Sequence, residues 1–68
     1  MGIGEKIKVR RKELGISQEE LAKRIGYADR SIIAKMEIGR YSNPSISRVE
    51  RIAKALEVSP AYIAGWKD

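Results

Sequence analysis

Residues 17–37, SQEELAKRIGYADRSIIAKME, constrain the fold more than any other part of the chain. Ser17 followed three residues later by Glu20 is a capping box, in which each side chain satisfies the other residue's backbone N–H and a helix begins. Gly26 stands where a helix favours a left-handed C-terminal residue, and Asp29 is placed to cap a second helix. The stretch predicts two short helices joined by a tight turn, an arrangement that presents one exposed helix to a DNA groove.

The flanking sequence also predicts helices. Ile3, Ile7 and Leu14 form one apolar helical stripe that Gly15 ends, and the third helix is expected to run from Asp29 to about residue 38. The inward side chains of a fourth helix are expected to be Ile46, Val49, Ile52, Ala53 and Leu56. This helix has two possible N-caps, Ser45 and Ser47, while residues 59–65 predict a short fifth helix. The fold class is therefore all-α.

Composition narrows the possible functions. A chain of 68 residues is long enough for one small domain, 1–68, with the helix-turn-helix at about 17–38. The sequence contains no Cys and no His, so thiolate catalysis, a Cys-based zinc site and the commonest general base are excluded. We expect no enzyme activity, no cofactor, no metal and no membrane partner, and a cytoplasmic location. A net charge of +5 and a pI near 9.8 favour a polyanionic partner.

Two opposite charges are predicted to face the core. Arg11 lies four residues after Ile7 and three before Leu14, and Glu37 lies four after Ile33. Because an isolated buried charge is very costly, we expect Arg11 and Glu37 to form an ion pair. The alternative is that both side chains reach water separately.

Taken in order, several motifs resemble one known family. SQEELA, the G–Y–x–D–R–S turn, Ile33, Glu37-x-Gly39, NPS and IAKALEVS are together similar to the Cro/C1-type (Xre-like) helix-turn-helix repressors. The similarity runs from Ile3 to Trp66, and the closing SPAYIAGW resembles the end of the N-terminal domain in repressors of Gram-positive temperate phages. The sequence departs from the family pattern at Tyr27 and Ala28, two turn residues where the commoner pattern has one.

The resemblance implies a compact five-helix, lambda-repressor-like domain that binds operator DNA as a homodimer. The family's base-reading positions fall on Arg30, Ser31 and Lys35, which helical phase also places outward. Arg and Lys can donate to guanine, and Ser can donate or accept. Ile32 lies at the boundary of this face. Two interpretations of it stay open, packing at the edge of the core and contact with a thymine methyl group. The alternative for the whole face is an ordinary solvated helix surface.

Other residues are candidates for phosphate contacts. Gln18 begins the second helix, where free N–H groups and the helix dipole favour an anion, and the resemblance assigns it the same role. Arg10 is the first-helix cation best suited to touch phosphate. The remaining candidates follow the third helix and are Arg40, Tyr41, Ser42 and Asn43. The alternative for each of these loop residues is that its side chain only contacts solvent.

Tyr62, Ile63 and Trp66 form an apolar cluster near the C-terminus. This cluster packs the fifth helix on the fourth or forms a dimer contact, and both interpretations stay open. One further interpretation is that the chain is the N-terminal module of a longer phage repressor.

The sequence thus predicts a sequence-specific regulator of transcription that binds double-stranded DNA as a homodimer. The alternative is a protein-interaction module on the same scaffold, antitoxin-like or regulatory. The exposed Arg30, Ser31 and Lys35 favour DNA, because a protein-binding surface would more often be apolar or acidic.

Overall fold

The computed structural model describes residues 2–40 and 44–65, and every regular element in these ranges is a helix. The helices are α1 (Ile3–Glu13), α2 (Gln18–Ile25), α3 (Ser31–Glu37), α4 (Ile46–Leu56) and α5 (Pro60–Ala64). The all-α, five-helix prediction is confirmed. Among the described helices, none is long and apolar enough to cross a membrane.

Serine side chains form the N-caps of three helices. Ser17, Ser45 and Ser59 accept from the backbone N–H groups of Glu20, Arg48 and Tyr62 at 3.0, 3.2 and 3.1 Å. Ser45 is therefore the cap of α4, which decides between the two positions that the sequence left open. In the capping box of α2, the Glu20 carboxylate contacts Arg24 Nε at 3.4 Å.

The core forms where the five helices meet. Its largest fully buried side chains are Ile7, Leu21, Ile33, Met36, Ile52, Leu56 and Ile63. Ile46 was predicted to face this core, and that prediction is wrong, because its side chain is 65% exposed. Ile46 has the same helical phase as Val49, but it is the first residue of α4, where helical phase alone does not decide whether other helices cover a side chain.

Gly4 brings α1 into backbone contact with α3. A Cβ atom at this position would overlap the carbonyl oxygen of Met36 and lie 3.0 Å from that of Glu37. Because Met36 and Glu37 form the last turn of α3, the C-terminal end of this helix is fixed by direct packing on α1.

Helix α4 ends at a non-glycine residue with left-handed backbone conformation. Glu57 has φ 60° and ψ 41°, and its N–H donates to Lys54 O at 3.2 Å while Val58 N–H donates to Ala53 O at 3.0 Å. This conformation costs an L-residue about 1–2 kcal/mol, and glycine avoids most of that cost.

We expect Glu57→Gly to raise the free energy of unfolding by about 0.5–1 kcal/mol, since the larger chain entropy of glycine offsets part of the relieved strain. Urea denaturation would measure the change. Glu50→Gly is the matched control at an exposed position inside α4, where glycine should cost about 1 kcal/mol. Equal losses in the two variants would contradict the assignment of strain to Glu57.

Candidate nucleic-acid interface

The turn between α2 and α3 begins at Gly26, which has φ 99°. Gly26 N–H donates to Lys23 O at 3.1 Å, and Tyr27 N–H donates to Ala22 O at 2.9 Å. These two bonds satisfy the last carbonyl groups of α2 in a Schellman arrangement. The predicted left-handed glycine is confirmed, and the chain leaves α2 in a fixed direction.

Helix α3 begins at Ser31, two residues later than the sequence predicted. Arg30, at the N-cap position, has ψ −7° and falls short of regular helical geometry. Asp29 nevertheless caps the helix, because its Oδ1 accepts from Ser31 N–H at 2.8 Å. Hydrogen bonds from the Ser31 backbone and hydroxyl lower the pKa of the Asp29 carboxyl, with a smaller contribution from the charge of Lys35. Asp29 is therefore an anion at neutral pH.

The exposed face of α3 carries the predicted base-reading residues. Arg30, Ser31 and Lys35 are all exposed, while Ile33 and Met36 are buried on the opposite side. Ile32 is half-buried and packs against the edge of the core. The structure thus brings one guanidinium, one hydroxyl and one ammonium together on the outward side of a helix whose inward side is anchored.

A buried ionic network fixes the far end of α3. Arg11 Nε donates to Glu37 Oε2 at 2.7 Å and Arg11 Nη2 donates to Oε1 at 3.2 Å. The two side chains are only 11% and 3% exposed. Arg11 Nη1 also donates to Ile16 O at 2.9 Å. The helical-phase argument placed both side chains correctly, and their two-bond geometry is the form that a buried Arg–carboxylate pair requires.

Gln18 joins this network from the start of α2. Its Nε2 donates to Glu37 Oε1 at 3.0 Å, so the first residue of α2 is tied to the last residue of α3. An amide carries two N–H groups, and this bond uses one of them. The two helices of the helix-turn-helix are therefore linked at both ends, by the turn and by this bond.

The other predicted phosphate-contacting residues differ in their exposure and hydrogen bonding. Arg10 Nε donates to Leu56 O at 2.9 Å, and Arg10 Nη1 contacts Glu13 at 3.3 Å. Arg40 is exposed directly after α3, with its N–H donating to Lys35 O at 2.9 Å. The candidates Tyr41, Ser42 and Asn43 lie outside the described residues.

The C-terminal cluster divides into separate environments. Ile63 is fully buried in the core, as its core-packing interpretation requires. Tyr62 is 44% exposed, and Lys6 Nζ lies 5.4 Å from the centre of its ring. Trp66 lies outside the described residues. Of the candidate dimer contacts that the structure describes, Tyr62 is the accessible one.

Two features of the interface were missed at the sequence level. Gly4 fixes α3 against α1, and a glycine inside a helical pattern is the signal that indicates such close packing. Arg48, from α4, lies over the ring of Tyr27 at 5.6 Å. The Tyr27 hydroxyl is buried without a hydrogen-bond partner among the described residues. No local pattern relates Arg48 to the turn, since the contact joins distant parts of the chain.

Comparison with known proteins places these features in a family. A helix-turn-helix family model matches residues 7–63. An uncharacterized HTH-type transcriptional regulator of Methanothermobacter thermautotrophicus is 56% identical over 50 residues, which cover 74% of this chain and 70% of that protein. The HTH-type transcriptional regulator SinR of Bacillus licheniformis is 39% identical over 66 residues, or 97% of this chain. The chain spans 59% of the length of this SinR.

The fold is also that of a solved repressor structure. The P22 c2 repressor protein, crystallised in complex with a synthetic operator, superposes with a TM-score of 0.87 at 31% identity over 98% of both chains. From the matched residues, the helix order and the packed turn, we conclude that the chain belongs to the Xre-like helix-turn-helix family.

Proposed function

We propose that this chain binds double-stranded DNA sequence-specifically by placing α3 in the major groove, and that it represses transcription from the sites it binds. The observation that carries the proposal is the outward face of α3, where Arg30, Ser31 and Lys35 are exposed. The opposite side of this helix packs in the core and ends in the Arg11–Glu37 ion pair. A major groove admits an α-helix, and the net charge of +5 favours approach to the phosphate backbone. The P22 c2 repressor has a similar fold and was crystallised in complex with a synthetic operator, and this supports the proposal.

Each residue of this face has a role that its chemistry suits. Arg30 can donate two bonds to O6 and N7 of a guanine, and Lys35 can donate to the same atoms of a neighbouring guanine. Ser31 can donate or accept, either with a base or with a phosphate. Ile32 is half-buried against the core, and the exposed part of its side chain would contact a thymine methyl group.

Phosphate contacts would orient the domain without reading sequence. Gln18 is suited to this through its second amide N–H and the N-terminus of α2. Arg40 and the following residues 41–43 would contact the backbone beyond the other end of α3. Arg10 already donates to a carbonyl group and to a carboxylate, so a phosphate contact from Arg10 would rest on its remaining N–H groups.

Substitutions should separate base reading from phosphate contact. Arg30→Ala should weaken the cognate site by about 1–3 kcal/mol and relax the preference at one base pair. Lys35→Ala should act similarly at a neighbouring pair, but less sharply, because an ammonium lacks the planar guanidinium fork. Arg40→Ala should instead weaken all sequences alike and lower the salt slope by about one unit.

The measurement is binding to a panel of single-base operator variants at two salt concentrations, after selection of bound sites from a random DNA pool. Arg40→Ala serves as the charge-matched control for Arg30→Ala, since both remove one exposed guanidinium near α3. If Arg30→Ala weakened every site equally and left the base preferences unchanged, Arg30 would not be a base-reading residue.

We further propose that two copies bind a pseudo-palindromic operator, with half-sites about one helical turn apart. The chain should be largely monomeric at micromolar concentration and should pair mainly on DNA. The described ranges expose few large apolar side chains, namely Val9, Ile38, Ile46 and Tyr62, whereas a stable dimer interface usually buries about 800 Å² on each partner. Sedimentation equilibrium with and without operator would test this, and a tight dimer without DNA would contradict it.

A protein-interaction module is the competing function. The exposed Lys35 and Ser31 of α3 favour DNA, because Lys and Ser are depleted in protein–protein interfaces. The site selection distinguishes the two functions, since a protein-interaction module would enrich no DNA sequence.

A further inference from the structure

Helix α4 places two arginine side chains against the turn between α2 and α3. Arg48 lies over the ring of Tyr27, with its guanidinium carbon 5.6 Å from the ring centre. Nη2 of Arg51 lies close to Gly26, 3.9 Å from the position that a Cβ atom on this glycine would take. Because Arg48 and Arg51 are three residues apart, they share one side of α4. This side of α4 therefore contacts two consecutive residues of the turn.

Both partners in the contact between Arg48 and Tyr27 are fixed at their backbones. The backbone N–H of Arg48 donates to Oγ of Ser45, the N-cap of α4, at 3.2 Å. The backbone N–H of Tyr27 donates to Ala22 O at 2.9 Å, and its side chain packs against the core. Arg48 is half-buried, and partial removal from water strengthens the attraction between a cation and an aromatic face.

The hydroxyl group of Tyr27 does not explain why an aromatic residue occupies the turn. Its oxygen is buried without a hydrogen-bond partner among the described residues, and an unsatisfied buried polar group costs free energy. The side chain contributes through its ring, which packs on the core and faces Arg48. Phenylalanine would supply the same ring without the hydroxyl.

The contacts of Tyr27 bear on the direction of α3. Tyr27 and Ala28 are the two turn residues where the commoner family pattern has one, and an additional residue gives a turn more backbone conformations to restrict. Ala28 and Asp29 are both exposed, so among residues 27–29 only the side chain of Tyr27 packs on the interior. The conformation of the turn, and with it the position of Arg30, therefore depends on what holds Tyr27.

We propose that Arg48 is a positioning residue for DNA reading. Through the ring of Tyr27 it holds the lengthened turn, and this fixes where Arg30 meets its base pair. The inference rests on the proposed DNA binding and deepens it, because part of the sequence preference is then set by α4, a helix outside the proposed groove contact.

The first arm of the test needs no DNA. Native-state hydrogen exchange reports local opening of the turn at two amides, Tyr27 N–H, which is bonded to Ala22 O, and Ser31 N–H, which is bonded to Asp29. In Arg48→Met both should exchange about fivefold faster, the factor expected for losing a cation–aromatic contact at a partly exposed site.

The Val58 N–H, bonded to Ala53 O at the other end of α4, is the internal control and should keep its exchange rate in Arg48→Met. An unchanged rate at Tyr27 would overturn the proposal. An equal increase at Tyr27 and Val58 would also overturn it, since the substitution would then have lowered the stability of the whole domain without acting on the turn.

The second arm measures base preference at the pair where Arg30→Ala relaxes it. Arg48→Met should lower the ratio of affinities for the selected base pair and its variants about fivefold, which is part of the discrimination that one bidentate contact supplies. Lys54→Met is the matched control, because it removes the same charge from an exposed position on the same helix. It should weaken all sequences alike or not at all and keep the ratio. An unchanged ratio in Arg48→Met would overturn the proposal.

Two variants of Tyr27 show whether Arg48 acts through the ring. Tyr27→Phe keeps the aromatic face, so it should keep both the exchange rates and the base preference. Tyr27→Leu should reproduce the effects of Arg48→Met, and the double variant should be no worse than either single variant. Effects that multiply in the double variant would mean that Arg48 does not act through Tyr27 and would overturn the proposal.

Circular dichroism of each variant ensures that folded proteins are compared. Failure of this inference is distinguishable from failure of the proposed function. A chain that selects no operator does not read DNA, whereas a chain that selects one and keeps its base preference in Arg48→Met reads DNA without this contribution from α4.

Discussion

Glu37→Ala is expected to lower the free energy of unfolding by about 3–5 kcal/mol, because it leaves the Arg11 guanidinium, 11% exposed, without its carboxylate. Arg11→Ala should cost a similar amount, because it leaves the Glu37 carboxylate, only 3% exposed, without a cation and with the Gln18 amide as its remaining side-chain donor. A small domain of this size is stable by only a few kcal/mol, so either variant should be largely unfolded at room temperature. Thermal melts followed by circular dichroism would measure the loss.

The double variant Arg11→Met with Glu37→Leu tests whether the two residues act as a pair. It removes both charges together, and its loss should be much smaller than the sum of the single losses, although Gln18 also loses an acceptor. Lys23→Ala is the control for deleting a charge, since its pair with Glu19 is 71% and 69% exposed with a separation of 4.0 Å, and it should cost no more than about 1 kcal/mol. Additive losses for Arg11 and Glu37 would contradict the pairing.

Gly4→Ala should destabilise the domain by about 3 kcal/mol, the upper part of the range for overpacking. The new methyl group would overlap the Met36 carbonyl oxygen, which is a backbone atom and cannot move aside as a flexible side chain does. The better helix propensity of alanine, about 1 kcal/mol, offsets only part of this cost. Urea denaturation would measure the loss, and DNA binding at low temperature would show whether the packing of α3 on α1 matters for the proposed function.

Gly2→Ala is the matched control for Gly4→Ala. The same atom is added two residues earlier, where a Cβ would meet nothing within 4 Å, so the change in unfolding free energy should stay within about 1 kcal/mol. Similar losses in the two variants would mean that contact between α1 and α3 is not what restricts Gly4.

The sequence was most informative where local chemistry decides the structure. Ser17, Gly26 and Ser59 mark helix ends through hydrogen bonds between near neighbours, and each has its predicted role. Helical phase also placed Arg11 and Glu37 correctly, since two inward charges on separate helices have few alternatives to pairing. The outward positions of Arg30, Ser31 and Lys35 follow from the same phase argument.

The features that were missed depend on which distant residues meet. Helical phase placed Ile46 inward, but whether a residue at a helix end is covered depends on how far the neighbouring helices extend. The contact of Gly4 with the end of α3 and that of Arg48 with Tyr27 both require the tertiary arrangement. The start of α3 was misplaced because Asp29 caps the helix from one residue before the N-cap position.

The two ends of α3 are held by different means, and this has a mechanical consequence. Its C-terminal end is fixed by the core, by Gly4 and by the Glu37 network, whereas its N-terminal end is positioned by the turn at residues 26–29. We therefore expect that adding or removing a turn residue would change the direction of α3 while its C-terminal end near Glu37 keeps its contacts. If Arg30, Ser31 and Lys35 read bases as proposed, a change in turn length would move them relative to the DNA and would alter the preferred operator without any substitution in the hydrophobic core.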